Sequence, residues 1–498
     1  MLASIPTYTL DGVDSREVTV EVDVRRGLPA FAIVGLPGPA VKEARDRVRS
    51  ALVNSGFDFP MSRLTANLAP ASVRKVGPSF DLALAVAVLA ASGQLDSGGL
   101  EDLAVCGELS LGGELRPVRG ALAMATGARR AGMKRLAVPE ECAGEAALVE
   151  GLDVVGVPTL ARFVAMARGE WTPEPALPAC AAPQAQPPDL CDVRGQRDAR
   201  RALEIAAAGG HNVLMVGPPG VGKTMLARRL PGILPAPSLE EALEVTQIHG
   251  AAGLTRGGLV AERPFRAPHH TISAPGLIGG GSVPRPGEIT LAHRGVLFLD
   301  ELPEFSRPAL EALRQPLEAG SIEVMRSQRT LVFPAAFNLI AACNPCPCAK
   351  PGGACTCSDL DRARYHRRLS GPLMDRIDLT CQLDPRPPVV GAEPSEASEG
   401  VRARVEAARL AQRERLAGSP AACNAELVEA EVAAMVRGSA GLRRILHRSG
   451  MSARGHDRVV RVAQTIADLD GREALGAADV EEAVAYRAAG SEAMAVAA

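Results

Sequence analysis

Gly217-Pro218-Pro219-Gly220-Val221-Gly222-Lys223-Thr224 stands directly behind the apolar run Asn212-Val213-Leu214-Met215-Val216. The stretch is a complete G-x-x-x-x-G-K-[ST] phosphate loop, expected between a strand and a helix. Glycines let backbone N–H groups close around phosphate oxygens, Lys223 supplies a point charge, and the Thr224 hydroxyl can ligate Mg²⁺. The helix beginning there is expected to add its positive dipole end. Gly217 through Thr224 therefore make nucleotide binding the first expected function, against a plain Gly/Pro turn as the bland alternative. Downstream, Val296-Leu297-Phe298-Leu299-Asp300-Glu301 is an apolar strand ending in two carboxylates, a Walker B pattern. Asp300 is expected to hold the Mg²⁺ that bridges the terminal phosphates, and Glu301 to polarise the attacking water. The carboxyl end of a buried strand is where open α/β sheets place their ligands.

The bulk properties set the frame. At 498 residues the chain is expected to split into two to four domains, and 47% hydrophobic residues supply several cores. Met1 to Val24 has no basic and apolar leader, and its Val18-Val20-Val22-Val24 alternation reads as a strand. No run approaches the ~18 apolar residues a membrane helix needs, and Leu82 to Ala91 reads as a buried helix. A cytoplasmic protein with no membrane partner is expected, its eleven cysteines reduced thiols or metal ligands. A net charge of −2 excludes a strong global field, so any nucleic-acid contact must be local. Of 55 basic residues only Lys42, Lys75, Lys134, Lys223 and Lys350 are lysines, which sets Lys223 apart.

Composition divides the chain. Mixed strand and helix patterns fill residues 1–168, and a Pro/Ala-rich linker is expected over 169–188. Helix and strand alternate through 189–383, as a parallel sheet requires. A Pro/Glu/Ser-rich break covers 384–400. Beyond it, 401–498 reads as helices over Val401 to Leu416, Ala425 to Val436, Gly441 to Arg448, Ala453 to Asp468 and Ala477 to Ala488.

Phe337 to Cys343 is a further strand, ending in Asn344-Pro345. In AAA+ ATPases a polar residue at such a tip, sensor 1, contacts the γ-phosphate or the attacking water, and Asn344 is read so against an ordinary Asn-Pro turn. Leu369 to Leu379, with Arg376 at its centre, resembles the arginine-finger segment of AAA+ ATPases of the MCM and magnesium-chelatase group. Arg376 would then stabilise transition-state charge in a neighbouring subunit, against a surface pair with Asp375 or Asp378. Arg454, starting a helix after Ser452, matches the sensor 2 arginine, against a plain helix-start residue.

With Pro264-Phe265-Arg266-Ala267-Pro268-His269-His270-Thr271-Ile272-Ser273 and Gly276-Leu277-Ile278-Gly279-Gly280-Gly281, the chain resembles the YifB/ComM family of magnesium-chelatase-like AAA+ ATPases nearly end to end. His269 and His270 lack the glutamate of an H-E-x-x-H metal pattern, and are assigned to the insert this clade carries before Walker B. The resemblance implies an α/β fold class: a Lon-protease-like α+β N-terminal domain, a central AAA+ P-loop domain on a parallel sheet, and a C-terminal helical lid. Gly35-Leu36-Pro37-Gly38, Val41 to Val48, Asn67 to Ala71 and Gly77-Pro78-Ser79-Phe80-Asp81 carry the Lon-like part. Lon proteases use a Ser-Lys dyad. Ser79 matches the serine, but the lysine position falls on Leu122, and no lysine lies between Lys75 and Lys134. A hydroxyl without its base is unactivated, so this domain is expected to be non-proteolytic.

Ile322 to Phe333 alternates on either side of Ser327-Gln328 and reads as a hairpin. Related motors present such a hairpin to a central pore, where Arg326 and Arg329 would touch DNA phosphates; the alternative is a solvated tip. Aromatic residues, 3% of the chain, are too few for a stacking platform. Cys346-Pro347-Cys348 and Cys355-Thr356-Cys357 are two C-x-C pairs within reach of one structural Zn²⁺, against reduced loop thiols. The resulting expectation is a ring-forming motor, a hexamer by resemblance, that uses ATP and Mg²⁺ on single-stranded or branched DNA. The resemblance sharpens this to a helicase promoting branch migration in natural transformation. The alternatives are a magnesium-chelatase motor subunit, a Lon-like ATP-dependent protease, and a nucleotide-dependent scaffold.

Overall fold

The structure, a computed structural model, describes the chain except residues 74, 76, 182–186, 256–257, 282–283, 327–328, 351–353, 386–394 and 496–498. The side chains at 97, 326, 329 and 490–495 also lie outside the description.

Alternation of buried valines with polar residues makes Asp14–Arg25 a strand with one face in a core. It pairs antiparallel with Leu2–Asp11 and with Arg63–Ala69, and Ala30–Val34 joins the latter in parallel at the sheet edge. The apolar run after Asp81 has no polar face to show water. It forms the helix Asp81–Ala91, buried at every position. Three parallel strands, Leu103–Val105, Arg135–Pro139 and Asp153–Val157, form the second sheet of this N-terminal part.

The central sheet has five parallel strands, in spatial order Phe265–Arg266, Val296–Leu299, Asn338–Cys343, Val213–Val216 and Leu379–Gln382. Val213–Val216 and Val296–Leu299 are buried at every residue, as strands covered on both faces must be. Successive side chains divide between two cores. Val213, Met215 and Phe298 face Val405, Val459 and Ile466 of the C-terminal helices. Leu214, Val216 and Leu299 face the opposite core with Ile248, Phe305 and Phe333. That second core also takes in Val13, from the turn between the first two strands of the chain. Gln247 Nε2 donates to the Val13 carbonyl at 3.0 Å and to Asp14 at 3.1 Å, tying the N-terminal part to the central one.

Within the Pro/Ala-rich stretch Ala179 N donates to the Gly144 carbonyl at 2.9 Å, and Ala181 bridges Leu259. The C-terminal helices span Ser398–Arg415, Glu429–Val436, Ala440–Arg448, Ala453–Leu469 and Ala477–Ala495. The second begins at Glu429 rather than Ala425, because Asn424 is buried and its amide donates to Thr465 and Asp468. Those bonds hold Asn424–Glu426 in a 3₁₀ turn that cannot run on into the helix. Among the described residues no helix is long and apolar enough to cross a membrane.

Candidate active site

Strand register brings the distant motifs together. Val216 lies beside Cys343, and Leu299 beside Ala341, so the strand ending at Cys343 runs between the other two. The tips that follow, Gly217, Asn344 and Asp300, therefore meet at the carboxyl edge of the sheet. Lys223 Nζ donates to the Gly217 carbonyl at 2.5 Å, to the Pro218 carbonyl at 3.0 Å and to Asn344 Oδ1 at 2.9 Å. Burial lowers the Lys223 pKa, and the Asp300 charge opposes that shift. Thr224 Oγ1 donates to Asp300 Oδ2 at 2.9 Å, and Glu301 N donates to Asp300 Oδ1 at the same distance.

The loop fits a polyphosphate. Gly220 and Gly222 have φ of +80° and +98°, which only glycine adopts readily. A Cβ at Gly222 would lie 3.0 Å from Met225 Cε, and one at Gly217 would lie 3.1 Å from Leu383 Cβ. The Thr224 to Asp300 separation matches the roughly 3.0 Å between neighbouring oxygens of an octahedral Mg²⁺ site with ligands near 2.1 Å. One expectation needs correction. The helix behind the loop, Lys223–Ala227, is only five residues long before the chain steps into Leu230–Ile233. Its dipole is small, so backbone N–H groups of the glycine turn carry the anion site.

Arg376 and Arg454 lie elsewhere. Asp378 N donates to the Asn212 carbonyl, at the amino end of Val213–Val216, so Arg376 is at the edge opposite Gly217. A four-residue strand spans about 13 Å, which keeps Arg376 out of this chain's own phosphate loop. Its guanidinium pairs with Glu318 and donates to the Pro372 carbonyl; it does not pair with Asp375 or Asp378. Arg454 lines a cavity of about 680 Å³ with Asn212, Asn338, Glu318, Asp378 and Arg458 among others, and Asn212, Asn338 and Asp378 stand at this same edge. Arg376, then Arg454 and Arg458, lower the Glu318 pKa. Asp378 is buried; burial works against its charge, but Arg458 and His211 outweigh it and hold the carboxyl below the usual range.

The four cysteines converge. Cys346 Sγ is 3.4 Å from Cys348 Sγ and 3.6 Å from Cys355 Sγ, and Cys348 is 3.6 Å from Cys355. Together with Cys357 the sulfurs lie within 4.8 Å of one another. A tetrahedral Zn–S₄ centre with 2.3 Å bonds places sulfurs about 3.8 Å apart, so the group fits. Backbone N–H groups of Lys350 and Thr356 bring the Cys348 thiol down to about 5. Cys343, by contrast, is buried at its strand tip, and burial pushes its thiol up to about 12.

In the N-terminal part Ser79 is buried, and Leu122 is a core residue of the helix Ala121–Arg130. Lys75 is buried, which lowers its pKa, and its ammonium donates to the Pro70 carbonyl. The hairpin forms as Ser321–Arg326 and Arg329–Pro334, with Arg326 opposite Arg329. The side chains of these two arginines lie outside the described residues. Sequence reasoning missed the partner of His270, whose Nδ1 is 3.1 Å from Glu301 Oε2. The adjacent histidines were a visible signal, but only the fold shows that their loop passes over Walker B. Arg454, Arg458 and Arg461, spaced four and three residues apart, were a legible helix stripe.

Residues 189–388 match the family described as magnesium chelatase, subunit ChlI. Residues 20–142 match subunit ChlI of Mg-chelatase, and 395–487 match the ChlI C-terminal family. YifB of Escherichia coli, an uncharacterized protein, is 43% identical over 501 residues, 98% of this chain and 97% of the relative. Competence protein ComM of Haemophilus influenzae is 41% identical over 503 residues, with the same coverage. Lon protease 2 of Bacillus subtilis is 32% identical over 142 residues, 27% of this chain and 26% of the protease. The fold is thus a Lon-like N-terminal part, a chelatase-type AAA+ ATPase core and a C-terminal helical part. The chain belongs to the YifB/ComM family of magnesium-chelatase-like AAA+ ATPases.

Proposed function

We propose that the chain is an ATP-hydrolysing motor that assembles into a ring, as a hexamer, and acts on single-stranded or branched DNA in the cytoplasm. The observation that carries the hydrolytic part is the prearranged set at the sheet edge, Lys223 on Asn344 and Thr224 on Asp300. When bound, Mg²⁺ and ATP supply the transferable phosphoryl group and the neutralising metal charge. Lys223 and the N–H groups of Gly217 to Thr224 hold the phosphates, Thr224 and Asp300 hold the metal, and Asn344 orients what faces the terminal phosphate. Glu301 takes the proton of the attacking water.

Arg376 and Arg454 occupy the edge remote from their own loop, which supports a site completed by the next subunit. The assignment to DNA, as a helicase in transformation and recombination, rests on three supports. They are the hairpin carrying Arg326 and Arg329, the likeness to a protein named for competence, and the missing dyad lysine, which speaks against a protease. The cysteine cluster is proposed to hold one structural Zn²⁺.

The test measures ATP hydrolysis with and without single-stranded and branched DNA, and strand displacement, for wild type and Lys223→Ala. DNA-stimulated hydrolysis and displacement are expected for wild type, and neither for the variant. A wild type that shows no stimulation and no displacement would rule out a DNA motor. The chelatase description attaches to all three matched stretches, so insertion of Mg²⁺ into a tetrapyrrole is the second reading. Hydrolysis stimulated by a porphyrin-binding partner instead of DNA would select it.

A further inference from the structure

From Val432 to His456 the chain has no aspartate or glutamate, although 57 acidic residues in 498 lead one to expect about three in a stretch of 25. The same stretch holds Arg437, Arg443, Arg444 and Arg448, besides Arg454 of the cavity. Packing turns the charges outward. Leu442 and Leu446 join the core with Val459 and Val480, and so fix one face of the helix Ala440–Arg448. Arg443, Arg444 and Arg448 are exposed on it, as is Arg437, two residues before the cap Ser439.

Among the described residues none of these four guanidinium groups has a hydrogen bond or an ion pair. Other arginines of the C-terminal part are paired. Arg404 meets Glu204 and Glu396, Arg415 meets Asp468, and Arg472 meets Asp479. Arg444 and Arg448 stand one turn apart, where like charges repel. Arg448, in the last turn, gains from the helix dipole, but Arg437, Arg443 and Arg444 have no such compensation. A surface of this kind fits a polyanion that supplies the missing negative charge. Arginines one turn apart rise about 6 Å along a helix, which suits a repeating phosphate chain better than a single anion. No Phe, Tyr or Trp lies between Tyr365 and Tyr486, so bases find nothing here to stack on.

We propose that the helix Ala440–Arg448, with Arg437 before it, is a second DNA-binding surface, which holds the phosphate backbone without reading its sequence. The hairpin Ser321–Pro334 does not extend to it: Ile322 and Phe333 belong to the core on the opposite face of the central sheet. The two contacts are therefore independent. The inference rests on the assignment to DNA made above, and adds a place where DNA is held.

The test is the salt dependence of DNA binding by the full chain. Arg437→Gln, Arg443→Gln, Arg444→Gln and Arg448→Gln are made together, since glutamine preserves the helix. For a single-stranded oligonucleotide, the slope of log affinity against log salt should fall by about 3, four phosphate contacts at about 0.7 each. DNA-free hydrolysis and the mass of the assembly in sedimentation should match wild type, because none of the four lines the cavity. Lysine at the same positions should restore the slope, since a point charge suffices for a backbone contact. A glutamine chain with the wild-type slope, or a lysine chain that behaves like it, would overturn the inference and leave the DNA motor standing. Altered mass with an unchanged slope would assign the surface to a neighbouring copy and overturn it equally. A wild type that binds no DNA at any salt would end both readings.

Discussion

Among the residues of the site, Glu301 and Lys223 separate two kinds of loss. Glu301→Gln keeps the shape and removes the base, so nucleotide affinity should persist while kcat falls by about 10² or more, the usual contribution of a positioned base. Equilibrium binding of a fluorescent ATP analogue beside steady-state hydrolysis checks the split; equal loss of both would mean that Glu301 serves binding instead. Lys223 behaves otherwise, because its ammonium already replaces phosphate oxygens with two loop carbonyls and Asn344 Oδ1. Removing it empties the centre of the loop. The motif made Lys223, Thr224, Asp300 and Glu301 readable directly, since the chemistry of phosphate binding restricts residue types at fixed spacing. Asn344 was readable only once the preceding residues were taken as a strand. The His270 contact was not readable at all, because a through-space distance of 3.1 Å leaves no trace in local spacing.

At the scale of elements, the loop from Cys346 to Cys357 links Asn344 to the helix Asp359–His366 and so to the Arg376 segment. His366 Nε2 lies 3.1 Å from the Pro345 carbonyl, closing this loop on itself. A metal there would fix the path between Asn344 and the Arg376 segment. Elemental analysis of protein purified without chelator should give about one zinc per chain, as a closed four-thiolate site holds, and Cys348→Ser with Cys355→Ser should abolish it. Chelation of the wild type should lower Tm by several degrees through lost ligand stabilisation. Metal-free protein of unchanged Tm would show that the thiols are simply reduced. Elements with strong patterns formed as read: the valine-alternating strand, the all-apolar helix, the Ile322 to Phe333 hairpin. The start of the Glu429–Val436 helix was misread because buried amide bonds of Asn424 override a local helical pattern.

For the whole molecule, the decisive feature is that the Lys223 and Asp300 set stands at one edge of the sheet and Arg376 at the other, which the proposed ring would bring together between subunits. In the proposed assembly a heterologous contact would place one chain's Arg376 edge on the next chain's Lys223 edge, and would close into a ring where the rotation between subunits closes. Arg376→Ala and Glu301→Gln chains should each be nearly inactive. Mixed in equal amounts they should regain activity, since roughly a quarter of the interfaces in a randomly mixed heterologous ring pair an intact Arg376 with an intact Glu301. Mixing that restores nothing would mean that Arg376 acts within its own chain or not at all.

The sequence by itself determined the nucleotide chemistry, the order of strand-borne motifs and the absence of a dyad lysine. These depend on residue type and on spacing along the chain, which folding does not alter. Only the tertiary structure decided that Asn344 meets Lys223, that Arg376 and Arg454 face away from their own phosphate loop, and that His270 rests on Glu301. Those facts depend on parallel strand order and register, set by packing between two cores at long range, where no local pattern records the outcome.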